Sequence, residues 1–186
     1  MHIEIRIAGF GGQGIIRTGL IIATASCVYD DKNVIQTSSY GPESRGGHCR
    51  SEVIISDEDI DFPKVEHPDI LVTMSQEAYS EYVDDLKENG TLLKDPDLVQ
   101  DQRKNLKIKT FDVPATRIAE NLGKKVIANV VMIGALAAIT GLFKVNDLRE
   151  SIIRNVPERF VDLNLSAFQK GYEYGEKLRS SITEGS

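Results

Sequence analysis

The chain has 186 residues, of which 41% are hydrophobic and 27% charged, with a formal net charge of −6. These are the values of a folded domain large enough to bury a core, and they exclude a disordered chain. An acidic balance gives no field to attract a phosphate backbone, and two cysteines outside any CxxC pair exclude a disulfide scaffold and cannot ligate an iron–sulfur cluster. No basic-then-apolar leader precedes the first apolar alternation, and the longest apolar run, Val126 to Ile139, is shorter than the roughly 20 residues that span a bilayer. The expectation is a cytoplasmic protein that binds neither nucleic acid nor membrane.

Ile3 to Ala8 alternates as a strand does, and Gly9 ends it. From Gly14 to Tyr29 the apolar spacing predicts a helix buried on much of its surface, closed by Asp30 and Asp31. A second strand is expected over Asn33–Thr37, then a Ser-, Gly- and Pro-rich loop from Ser38 to Gly47, then a third strand over Arg50–Ser56. Beyond the acidic turn Asp57–Asp61, short strands are expected at Asp69–Thr73, Thr91–Lys94 and Lys107–Asp112, with an amphipathic helix over Gln76–Lys87. Four helices then follow: Ala115–Leu122, Val126–Leu142, Val145–Arg154 and Arg159–Leu178. The chain shows no repeat and no linker. It reads as one domain, residues 1–186, of α/β class: a three-layer, Rossmann-like open sheet, mostly parallel, with helices on both faces.

Gly9-Phe10-Gly11-Gly12-Gln13-Gly14 fits GxGxxG and lies between a strand and a helix, as that motif requires. Glycines there let the backbone turn tightly and approach an anion, which the helix N-terminal N–H groups then face. The plainer reading is a turn that needed glycine. A dinucleotide site also wants an acid at the end of the second strand, where Ile35-Gln36-Thr37-Ser38 offers none, so an ordinary NAD dehydrogenase is disfavoured. No GxxxxGK[ST] segment is present, which excludes a P-loop nucleotidase.

The second loop, Ser38 to Gly47, falls near the same carboxyl edge in a doubly wound sheet. It carries Ser39, Tyr40 and Arg45, and Arg45 could serve as a fork for a phosphate or a partner carboxylate. An exposed turn shaped by Pro42 is the alternative.

Together the segments GFGGQGI (Gly9–Ile15), SYGPESRGG (Ser39–Gly47), SEVIISDEDIDFP (Ser51–Pro63) and PDILVTMSQEAY (Pro68–Tyr79) resemble the gamma subunit of the 2-oxoacid:ferredoxin oxidoreductases. The likeness continues through Asn129–Leu136 and Asn164–Gly175, and its phrasing is most similar to the 2-oxoglutarate branch, beside the pyruvate, branched-chain and indolepyruvate enzymes. The resemblance implies a multisubunit enzyme that converts a 2-oxoacid and coenzyme A to acyl-CoA and carbon dioxide, with ferredoxin or flavodoxin as acceptor. It places thiamine diphosphate and the iron–sulfur clusters on the alpha, beta and small ferredoxin-like subunits. It gives this chain a share of the coenzyme A site through Gly11, Gly12, Gln13 and Gly14, with Ser39 and Arg45 as further candidates. No catalytic residue and no metal ligand is expected. A standalone Rossmann-type nucleotide-binding oxidoreductase is the alternative.

The remaining features read as structure. His2, His48 and His67 show no metal-ligand spacing, and Asp57–Asp61 lacks the pattern of a calcium loop. Cys27 sits in an apolar helical pattern and is expected in the core. Gly134, Ala135, Ala137 and Ala138 permit close helix packing, within the domain or against a partner. Phe160, Leu163, Ala167 and Tyr174 form a stripe of the same kind. Partner surfaces exposed by isolation would favour self-association.

Overall fold

Alternating isoleucines at the start of the chain set the frame. In the computed structural model, which describes residues 1–40, 47–100, 103 and 106–183, Ile5 and Ile7 of β1 (His2–Phe10) point to one face of a sheet, and Arg6 and Ala8 point to the other. β1 is central in a six-stranded sheet, with β3 (His48–Ser56) on one side and β4 (Ile70–Thr73) on the other. β2 (Asn33–Tyr40) lies outside β3, and β5 (Thr91–Lys94) and β6 (Lys109–Asp112) continue beyond β4. Only β3 runs against its neighbours, so five of the six strands share one direction. Parallel neighbours need crossovers. α1 (Ile15–Thr24) carries the chain from β1 to β2, and α2 (Gln76–Tyr82) carries it from β4 to β5.

The two faces are covered unequally. On one face Ala8, Leu71 and Leu92 meet Tyr79 and Tyr82 of α2 in a small apolar cluster. On the other, Ile5, Ile7 and Val72 join the main core with α1, α3 (Ala115–Asn121), α4 (Ala128–Thr140), α5 (Val145–Asn155) and α6 (Val161–Thr183). α4 is apolar on every side, and its residues from Ala128 to Ala138 are all buried, because α6 covers the flank the sheet does not. Gly134 of α4 sits against the Phe168 carbonyl, and Gly171 and Gly175 of α6 sit against the carbonyls of Val131 and Ala135. The small-residue stripe is therefore the domain's own packing. Ala167 is fully buried, and Leu163 and Tyr174 lie partly buried against the core, so the terminal stripe docks internally as well.

Several boundaries differ from expectation. β2 continues to Tyr40, because the backbone pairing with Arg50 and Cys49 extends through the serines that read as loop. α2 stops at Tyr82 and tightens into a 3-10 turn over Val83–Asp85. A 3-10 turn, Lys125–Ile127, precedes α4, so Val126 lies outside that helix. Cys27 is exposed, not in the core. The π-type winding of Ala25–Tyr29 shifts the helical phase after α1 and turns Cys27 and Val28 outward.

A buried charge lies on the α2 face. The Arg6 guanidinium donates to Glu52 Oε1 at 2.7 Å, Asp85 Oδ2 at 2.6 Å and the Val65 carbonyl at 2.6 Å, beneath the Tyr82 ring. These bonds satisfy a cation that could not otherwise be buried.

Candidate functional site

The glycine loop leaves β1 at Phe10 and enters α1 at Ile15. Two of its residues hold left-handed backbone conformations that favour glycine: Gly12 at φ +94° and Gly14 at φ +76°. Gln13 fastens the loop from within. Its Oε1 accepts from the Phe10 N–H at 2.6 Å, and its Nε2 donates to the Met74 carbonyl at 2.7 Å, tying the loop to the end of β4. Gln13 is thereby a positioning residue. The Gly11 N–H donates to the Gly47 carbonyl at 3.0 Å, so the end of the second loop meets the first at the carboxyl edge, as the topology predicts.

α1 then begins on Gly14 with no side-chain cap and no acidic residue in its first turn. The first N–H groups of such a helix have no partner within it, and they lie at the positive end of its dipole. Asn129 of α4 holds this end in place: its Nδ2 donates to the Gly14 carbonyl at 3.3 Å and to Thr18 Oγ1 at 3.4 Å. A side chain on Gly14 would bring its Cβ within 2.5 Å of that nitrogen, whereas a Cβ on Gly12 would meet nothing within 4 Å. Gly12 is thus the open crest of the loop.

Two cavities flank the crest, separated by Val126, which is 61% exposed. One, of about 260 Å³, is lined by Gly12, Gln13, Met74, Thr116 and Lys125. The other, of about 220 Å³, includes Gly14, Arg17, Lys124, Asn129 and Phe160. Arg17 and Lys124 form no ion pair among the described residues, and Lys125 only approaches Glu120 at 4.0 Å. In a chain of net charge −6, this end of α1 gathers three cations, Arg17, Lys124 and Lys125.

Of the residues singled out from sequence, Gly11, Gly12, Gln13 and Gly14 form this crest together. Ser39 stands apart, on β2, with its side chain exposed. It pairs with Arg50, which pairs with Ala8, so β3 separates Ser39 from β1 by two strand spacings, roughly 10 Å. Gln36 and Ser51 face α1, which by alternation puts Ser39 on the opposite face. Arg45 lies outside the described residues. β2 ends in Thr37-Ser38-Ser39-Tyr40, without the carboxylate a ribose would require. Arg17, Lys124, Lys125 and Asn129 were not marked as site residues. The one signal for them was a polar asparagine inside the Val126–Ile139 apolar run.

Among the described residues that line the two cavities there is no serine or cysteine. Cys49 is buried, and burial pushes its thiol up from the ordinary range. His48 Nδ1 lies 3.1 Å from Glu81 on the surface beside Phe10. Two cysteines do not fit the four-thiolate ligand set of an iron–sulfur cluster.

The family model described as pyruvate ferredoxin/flavodoxin oxidoreductase matches residues 4–174. The 2-oxoglutarate synthase subunit KorC of Methanocaldococcus jannaschii is 49% identical, over 96% of this chain and 96% of that protein. The solved keto/oxoacid ferredoxin oxidoreductase gamma subunit of Geobacter sulfurreducens is 41% identical, with a TM-score of 0.83 over 93% of this chain and 98% of that one. A 2-oxoglutarate:ferredoxin oxidoreductase from Magnetococcus marinus, solved with 2-oxoglutarate, coenzyme A and succinyl-CoA, is 25% identical with a TM-score of 0.85; the match covers 95% of this chain and 31% of that one. The chain belongs to the pyruvate ferredoxin/flavodoxin oxidoreductase family, as a gamma subunit of the 2-oxoacid:ferredoxin oxidoreductases.

Proposed function

We propose that this chain, acting as one module over residues 1–186, closes over coenzyme A in a cytoplasmic 2-oxoglutarate:ferredoxin oxidoreductase. The observation that carries the reading is the uncapped N-terminus of α1 behind Gly11–Gly14, with Arg17 and Lys124, which form no ion pair among the described residues, on one side and Lys125, 4.0 Å from Glu120, on the other. Backbone N–H groups, a helix dipole and lysine or arginine side chains are what a pyrophosphate requires, and coenzyme A carries one. Gly12 lets the backbone approach, Gln13 holds the loop shape, and Ser39 and Arg45 are further candidates on the second loop.

In this reading the alpha, beta and small ferredoxin-like subunits carry the thiamine diphosphate and the iron–sulfur clusters. Thiamine diphosphate supplies the carbanion chemistry of decarboxylation. Two electrons leave for ferredoxin or flavodoxin, and the acyl group passes to the coenzyme A thiol. This chain's residues bind and orient the thiol carrier and contribute no proton transfer. The exposed apolar residues Leu20, Val28, Phe62, Val126 and Ile153 are then surface for subunit contacts, and they favour self-association when the chain is alone.

Affinity capture of the chain from its native cells, with a dye-reduction assay on the eluate, tests this. Co-purifying thiamine and iron–sulfur subunits, with reduction dependent on both 2-oxoglutarate and coenzyme A, is the expected result. Activity on another 2-oxoacid alone would overturn the branch, and a chain eluting alone and inactive would overturn the complex.

A further inference from the structure

The two edges of the sheet are finished differently. β6 presents four residues with Lys109 and Asp112 at its ends, a short and charged edge of the kind that resists pairing. β2 presents eight, Asn33 to Tyr40, with no charge and no proline. Its register to β3 is unbroken, so no bulge turns the edge away. Alternate residues of an antiparallel strand direct their N–H and C=O groups away from the strand they pair with. On β2 those groups face outward, and among the described residues no backbone group of another element bonds to them. The chemistry that completes such an edge is another extended strand.

The side chains select which strand. Gln36 lies beside Ser51 and Gly19, so by alternation Val34, Gln36, Ser38 and Tyr40 face the α1 side, and Ile35, Thr37 and Ser39 face the other. Tyr40 is 70% exposed, and Val34 is only partly buried against the core. β6 of another copy is half as long and brings charges that β2 does not answer. A second β2, running antiparallel about a two-fold axis normal to the sheet, matches in length and opposes residues that face the same side. The strand is uncharged, so no like charges meet even though each chain carries −6. Centred on Gln36, this pairing leaves Tyr40 with no opposite residue. Centred on Thr37, it opposes Val34 to Tyr40 and Thr37 to its own copy, an aromatic–β-branched pair and a Thr–Thr pair of the kinds that stabilise sheets.

We infer that two copies of this chain join along β2, antiparallel and with Thr37 on the two-fold axis, into one continuous sheet in which each Tyr40 covers Val34 of the other copy. The inference rests on the sheet alone and does not depend on the coenzyme A reading.

The full chain in solution tests it, by sedimentation against concentration and by cysteine trapping. The trapping uses a Cys27→Ser background, since Cys27 is exposed and Cys49 is buried. The expected species is a dimer. Thr37→Cys cross-links it under mild oxidation, because opposed residues lie within disulfide reach. Ser39→Cys does not, because its two copies are offset by roughly 13 Å along the strands. Tyr40→Lys, at an exposed position, removes two symmetric pairs and raises the dimer dissociation constant about tenfold, with the circular dichroism of the wild type. In the assembled enzyme Thr37→Cys likewise links gamma to gamma. A chain that stays monomeric at every concentration overturns the inference. So does a dimer that Tyr40→Lys leaves intact and Thr37→Cys does not trap, which places self-association on the exposed apolar residues of the helices. Trapping in the isolated chain but not in the assembled enzyme gives the edge to another subunit and overturns it as well.

Discussion

Two glycines two positions apart in the sequence separate structure from function at the residue scale. Gly14 and Gly12 both hold positive φ, but only Gly14 abuts a neighbour, Asn129. Gly14→Ala adds a clash to the left-handed backbone cost and should destabilise by about 1–3 kcal/mol, more than Gly12→Ala, in urea unfolding. Arg6 and Glu52 are both buried in one ion pair, so Glu52→Ala strands a cation beside the remaining Asp85; a loss of about 3–5 kcal/mol is expected in the same measurement. Asp57 bonds Lys32 and the chain's amino terminus, which together lower its carboxyl from 3.8 to about 2. A depressed folded-state value favours the ionised form, so its contribution is complete above about pH 4 and is lost as the pH falls through about 2. The melting temperatures of wild type and Asp57→Asn should therefore converge between pH 4 and pH 2, with a small gap above that range because the pair is exposed and screened.

At the scale of elements, the contact between α4 and α6 depends on the absence of side chains. A Cβ on Gly171 would overlap the Val131 carbonyl, and one on Gly134 would overlap the Phe168 carbonyl. Backbone cannot yield as a side chain does, so Gly171→Ala should cost about 3 kcal/mol and expose apolar surface of α4, read as a lower midpoint of unfolding and increased dye binding. This contact was partly legible in advance. Small residues at helical spacing marked Gly134 to Ala138 as a packing surface, and a run apolar on all sides marked α4 as buried. The π-type winding after α1 was not legible, since nothing in Ala25–Tyr29 distinguishes it from continued helix, and Cys27 was misplaced as a result. The extension of β2 to Tyr40 was hidden because backbone pairing with β3, a long-range effect, overrode the loop composition of its serines. The strand–loop–helix geometry of the glycine loop was legible because a strand, a glycine motif and a helix are adjacent in sequence. The loop's neighbours Lys124 and Asn129 were missed because they reach it only through the packing of α4.

The whole molecule joins an acidic surface to one cationic end. Arg17 and Lys124, which form no ion pair among the described residues, lie where α1 opens between two cavities, and the sheet places that opening at its carboxyl edge, where ligands of open α/β sheets bind. Two cysteines cannot supply the four thiolates of an iron–sulfur cluster. The most direct measurement is the KM for coenzyme A of the assembled enzyme carrying Gly12→Val, a position where an added Cβ meets no protein atom within 4 Å, with thermal unfolding measured alongside because the positive φ strains any side chain. The account predicts a KM for coenzyme A raised about tenfold or more with the KM for the 2-oxoacid unchanged. A folded, assembled variant with wild-type kinetics for both substrates would contradict it.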